Sequence, residues 1–134
     1  MEKRNMWLRY SALMLAMVPA VAAAQPANAQ SVTRIDVELS SFKIMPETIT
    51  LDHGKSYVLH IANTSTSGHN FVAKGFFAAS RGVKPPLSSD GKIELGGGES
   101  VDIKLIAPAP GRYDVHCSHL MHSTFGMKGT IIVR

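Results

Sequence analysis

Between Tyr113 and Gly129 the chain reads YDVHCSHLMHSTFGMKG. This stretch holds the only cysteine, Cys117, and three of the six histidines, His116, His119 and His122. It also holds two methionines, Met121 and Met127. A thiolate, an imidazole and a thioether within one loop suit a soft, redox-active metal, and copper first of all. Four residues separate Cys117 from His122, and four separate His122 from Met127. A fourth ligand has to come from elsewhere, and His69 in Gly68-His69-Asn70-Phe71 is the natural candidate.

The elements that position these residues read as strands between turns. Val32 to Leu39 alternates polar and apolar residues with a period of two, the mark of a half-buried strand. Phe42 to Leu51 is expected as a second strand, with Pro46 marking an edge or a bulge. Asp52-His53-Gly54-Lys55 is a turn, and Tyr57 to Ala62 is a strand. The polar loop Asn63 to Gly68 then delivers His69, and Phe71-Val72 continues as a short strand. Lys74 to Gly91 is irregular, with a short helical turn at Phe76-Phe77-Ala78-Ala79 that Pro85-Pro86 keeps from extending. Ile93 to Leu95, Val101 to Ile106, Arg112 to Cys117 and Met127 to Arg134 complete the strands. Seven or eight short strands at this spacing, with no long amphipathic helix, predict an all-β sandwich. Alternation along Arg112 to Cys117 puts Tyr113, Val115 and Cys117 on the core side. It turns His116 away from any metal held by Cys117.

The upstream histidine, the cysteine at a strand end and the downstream His/Met pair resemble the cupredoxin family, the blue-copper electron-transfer proteins. The resemblance runs over residues 31 to 134. It includes Phe42 to Leu51 (FKIMPETITL), the Gly54 turn, Gly98-Glu99-Ser100 before a strand, and Gly111-Arg112-Tyr113 shortly before the cysteine. It implies a Greek-key topology and one copper ion held by His69, Cys117, His122 and Met127. His119 is closer to the cysteine than the family's ligand histidine usually lies, and Met121 falls inside the same short arm. The resemblance also gives Asn70 a supporting role: its N–H is expected to bond the cysteine sulfur and its side chain to tie the ligand loops together. Leu120, Met121 and Phe125, with Phe76-Phe77 as possible neighbours, are then candidates for an apolar patch where redox partners dock, or else they pack the loop onto the sandwich.

At the other end, MEKRNMWLRY carries Lys3, Arg4 and Arg9, and an apolar run follows from Ser11 to Ala24. Ala22-Ala23-Ala24 and Ala27-Asn28-Ala29 are small-residue cleavage patterns, so residues 1–29 read as a secretory signal peptide. Pro19 breaks the apolar run, which falls short of the about 20 residues a spanning helix needs. Residues 30–134 are expected as one mature, exported, periplasmic domain with no stable membrane insertion. Removing three basic residues and one acidic one lowers the net charge from +4 to +2. That balance does not argue for nucleic acid. A single cysteine in an exported chain cannot close an internal disulfide, and ligation to a metal accounts for it.

Two imidazoles and a thiolate with an axial thioether fully suit neither Cu(II) nor Cu(I). A scaffold that fixes them favours one-electron transfer with little rearrangement. Such a set leaves no open position, unlike a catalytic metal site, which argues against an enzyme. The expected function is a one-electron carrier between redox proteins such as c-type cytochromes, oxidases or reductases. The alternative is a copper-tolerance or delivery protein, which His116, His119 and Met121 keep in view as possible auxiliary ligands.

Overall fold

The computed structural model describes residues 31–134, and the expected signal peptide lies outside them. Two five-stranded sheets pack face to face. In chain order the strands are β1 (Thr33–Ser40), β2 (Lys43–Met45), β3 (Thr48–Leu51), β4 (Ser56–Asn63) and β5 (His69–Val72). The helix α1 (Lys74–Ala79) follows. Then come β6 (Arg81–Lys84), β7 (Lys92–Leu95), β8 (Ser100–Ile106), β9 (Gly111–His116) and β10 (Lys128–Val133). The first sheet runs β2-β1-β4-β8-β6 and the second β3-β10-β9-β5-β7. Among the described residues no helix is long and apolar enough to cross a membrane.

The sandwich expected from the two-residue periodicity is present, with ten strands instead of seven or eight. Two differences account for the count. The Phe42 to Leu51 stretch is divided at Pro46, and its halves serve different sheets. Pro46 has no N–H for a ladder, so it sits where the chain leaves the edge of one sheet and joins the edge of the other. The second difference is β6, a short strand in the irregular segment that pairs with β8 through Arg81 and Lys84. Few apolar residues alternate in Arg81–Lys84, and its pairing comes from the partner strand rather than from its own pattern.

The core lies between the sheets. Val37, Leu39, Leu59, Ile61, Ile103 and Leu105 face it from the first sheet. Ile49, Leu51, Phe71, Leu95, Val115 and Ile131 face it from the second. β4 alternates half-buried and buried residues along its whole length, as a sheet covered on one face requires. Phe76 and Phe77 on α1 are also core residues. Phe77 packs edge-on against Phe71, and Phe76 against Tyr113. Both rings are buried, so they add nothing to an exposed patch at the loop.

Phe71 lies two positions along β5 from His69 and is fully buried. Phe71→Ala should lower the unfolding free energy by about 3–5 kcal/mol, measured by chemical denaturation of the metal-free chain.

Candidate metal centre

The centre forms where β5 begins and β9 ends. β5 reaches it because the preceding loop is wound around Asn63, which is buried. Asn63 Nδ2 donates to the carbonyls of Ser67, Leu95 and Gly96 at 2.7, 3.1 and 3.0 Å. Its Oδ1 accepts from the Ser65 N–H and hydroxyl. The loop also runs so close to Gly97 that a Cβ there would stand 2.7 Å from Thr66 backbone atoms. The result is that His69 opens β5 itself, two residues earlier than the expected strand, with its side chain buried.

β9 keeps the expected parity. Val115 and Cys117 are buried, and Cys117 follows directly on the strand end. His116 faces the other way. It lines a shallow polar hollow with Glu47, Arg112, Asp114 and Lys128, away from the cysteine. The loop after Cys117 is closed by backbone bonds. Cys117 N–H donates to the Met127 carbonyl at 3.1 Å, and Met127 N–H donates to the His122 carbonyl at 3.0 Å. These bonds hold the three loop residues Cys117, His122 and Met127 in one turn. The Met127 side chain is buried, and His122 is half-buried at the rim.

His69, Cys117 and His122 converge, with one donor atom from each within 4.8 Å of the others. His69 Nδ1 and His122 Nδ1 approach to 3.2 Å, and Cys117 Sγ lies 3.4 Å from His122 Nδ1. Burial, followed by the neighbouring His122 and His119, holds His69 below the ordinary histidine range. The ring is thus neutral near pH 7, the form that ligates. His69 Nε2 is buried with no hydrogen-bond partner among the described residues, so Nδ1 is the nitrogen turned toward the other donors. A thiolate and two imidazoles from three different positions, with the buried Met127 closing the same loop, fit a single copper ion by donor type.

Asn70 joins the two sides of this cluster. Its N–H points at Cys117 Sγ at 3.5 Å. Its Oδ1 accepts from Ser118 N–H at 2.7 Å, and its Nδ2 donates to Ser118 Oγ at 2.9 Å. The same Nδ2 donates to Glu94 Oε2 at 3.0 Å. Glu94 in turn accepts from His119 Nε2 at 2.6 Å. His119 is thereby engaged by a carboxylate, although its ring lies 5.2 Å from that of His122. Burial pushes the Glu94 carboxyl up, but the bonds from Asn70 and His119 outweigh this and hold it below the usual carboxylate range.

Two residues at the centre escape sequence reasoning. Glu94 reads as an outward residue of an ordinary alternating strand, and only the pairing Asn70↔Glu94 brings it here. Phe42 packs its edge against His122 at 5.2 Å and against Phe125 at 5.4 Å. Its φ of 58° lies in the left-handed region, which bulky residues seldom adopt. That φ is invisible in a sequence. The loop residues Leu120, Met121 and Phe125 are 88%, 50% and 62% exposed, so they do not pack the loop onto the sandwich. With Phe42 they form an apolar rim around His122.

Residues 12–133 match the family model of the cupredoxin-like domain. No curated protein sequence matches the chain significantly. Among solved structures, dithionite-reduced auracyanin from the photosynthetic bacterium Roseiflexus castenholzii is similar, with 27% identity and a TM-score of 0.61. That match covers 76% of this chain and 97% of the auracyanin. Auracyanin A, a "blue" copper protein from Chloroflexus aurantiacus, shares the fold at 20% identity and a TM-score of 0.57, over 78% of this chain and 100% of its own. A multicopper oxidase from Campylobacter jejuni shares the fold at 14% identity and a TM-score of 0.58. The match covers 83% of this chain but 31% of the oxidase.

Asn70→Ala removes the acceptor of the Ser118 N–H and the donor to Glu94. Denaturation of the metal-free chain should show a loss of about 2 kcal/mol, the scale of a buried polar group left without its partner.

Proposed function

The chain belongs to the cupredoxin-like domain family, and from that premise we propose that it is an exported mononuclear copper protein carrying single electrons between redox partners. In this reading His69, Cys117, His122 and Met127 would hold the copper. The convergence of one imidazole from β5 with a thiol and an imidazole from the β9–β10 loop carries the proposal. Copper, when bound, supplies a one-electron Cu(II)/Cu(I) couple. The chain's part is to hold the donors still. Two sheets and the backbone bonds at Cys117 and Met127 keep the ligand positions fixed through a change of charge. Buried side chains of Cys117 and Met127 exclude water from the sulfur side.

His122 is the ligand nearest solvent, framed by Phe42, Leu120, Met121 and Phe125. An exposed apolar rim of this kind suits brief contact with a redox protein, such as a c-type cytochrome, an oxidase or a reductase. Residues 1–29 have the order of a signal peptide, which places the mature domain, residues 30–134, in the periplasm in this reading. Copper storage or delivery draws less support. His116 faces a different hollow, and His119 is already bonded to Glu94. A four-ligand set with no vacant position also argues against catalysis.

Copper titration of the mature chain should give one ion per chain, an intense thiolate-to-copper absorption and a reversible couple. More than one ion, or an irreversible couple, favours copper handling instead. His122→Ala should abolish the intense band while His119→Ala retains it; the reverse would reassign the loop ligand. Placing charge on the rim with Leu120→Asp and Phe125→Asp should slow electron self-exchange, followed by NMR line broadening, with the absorption spectrum unchanged.

A further inference from the structure

Glu94 sits on β7, whose Ile93 and Leu95 are buried while Glu94 itself faces outward. The register pairs it with Asn70, so the two side chains emerge side by side. Its two oxygens are used separately. Oε2 takes the Asn70 amide and Oε1 takes the His119 ring. The two contacts have different consequences. Ser118 N–H must meet an oxygen, which fixes Asn70 Oδ1 on the loop side and leaves Nδ2 to be received. A carboxylate only accepts, so it enforces that orientation of the amide. On the other arm, His119 supports the turn that carries the ligand: the His122 N–H donates to the His119 carbonyl at 3.1 Å. The His119 ring also lies beside those of His69 and His122, with centroids 6.4 and 5.2 Å from theirs.

We propose that Glu94 is a positioning residue of the metal loop, tying His119 to Asn70 and so holding Cys117 and His122 against His69. The inference rests on reading this centre as a copper site. An isolated surface ion pair contributes little. This one belongs to a network that joins β5, β7 and the loop, where each bond orders the next. A carboxylate this near an ion bound by these residues would favour its higher oxidation state, so Glu94 would hold the reduction potential down.

The test compares the full chain with Glu94→Ala and Glu94→Gln. In the metal-free proteins, reaction of Cys117 with an aromatic disulfide reagent reports opening of the loop. Glu94→Ala should react about fivefold faster than the parent, the factor expected for losing somewhat less than 1 kcal/mol of local closure. Glu94→Gln keeps the length but not both acceptors, and should fall between the two. With copper bound, Glu94→Gln should keep the thiolate band and show a more positive potential. Labelling and potential equal to the parent in both variants overturn the proposal. So does labelling that rises only in step with global unfolding, measured by denaturation of the same samples. A parent chain that takes up no copper defeats the copper reading, whereas the metal-free labelling comparison is decided independently of it.

Discussion

Two segments distant in the chain must meet before these donors can share a ligand, and the buried amide of Asn70 is what joins them. Strand pairing brings β5 and β9 together, but they share only one paired position, Val72↔His116. Beyond it the strands part, and backbone pairing no longer sets the gap between His69 and Cys117. Asn70 bridges that gap with its N–H toward the sulfur and its side chain on Ser118. The bond to the sulfur is buried and those to Ser118 are partly so, and a buried group left without its partner is costly.

Burial is graded across the centre. Cys117 and Met127 are enclosed by the sandwich, and His69 is nearly so. His122 alone stands at the rim, braced by the Phe42 edge. The gradient separates two tasks. The buried side determines the chemistry of the sulfur, and the rim determines what can approach. The loop is held both by polar bonds, through Glu94 and His119, and by aromatic contacts, through Phe42 and Phe125.

Much of this was legible before any coordinates. The two-residue period gave the strands, and parity on β9 turned Cys117 inward and His116 outward, because a strand offers no third direction. Donor chemistry singled out the loop, and the family resemblance supplied the ranking within it. Other features depended on information that no local pattern holds. Pro46 announces a break in pairing but does not say that the chain changes sheets there. Arg81–Lys84 becomes a strand only because β8 offers an open edge. Phe76 and Phe77 are as apolar as the rim residues, and their burial follows from how α1 folds onto the sheet. Glu94 and Phe42 reach the centre through register and backbone conformation, which are properties of the assembled sandwich.

The backbone bonds from Cys117 to Met127 and from Met127 to His122 gather the loop at a narrow neck. Everything between Ser118 and Gly126 hangs from that neck and contributes nothing to the ladder of β9 and β10. Its exposed side chains Leu120, Met121 and Thr124 are therefore free to diverge while the sandwich of strands below stays the same. A lineage carrying this scaffold can change the surface it shows to other molecules by rewriting those few positions, leaving the two sheets untouched.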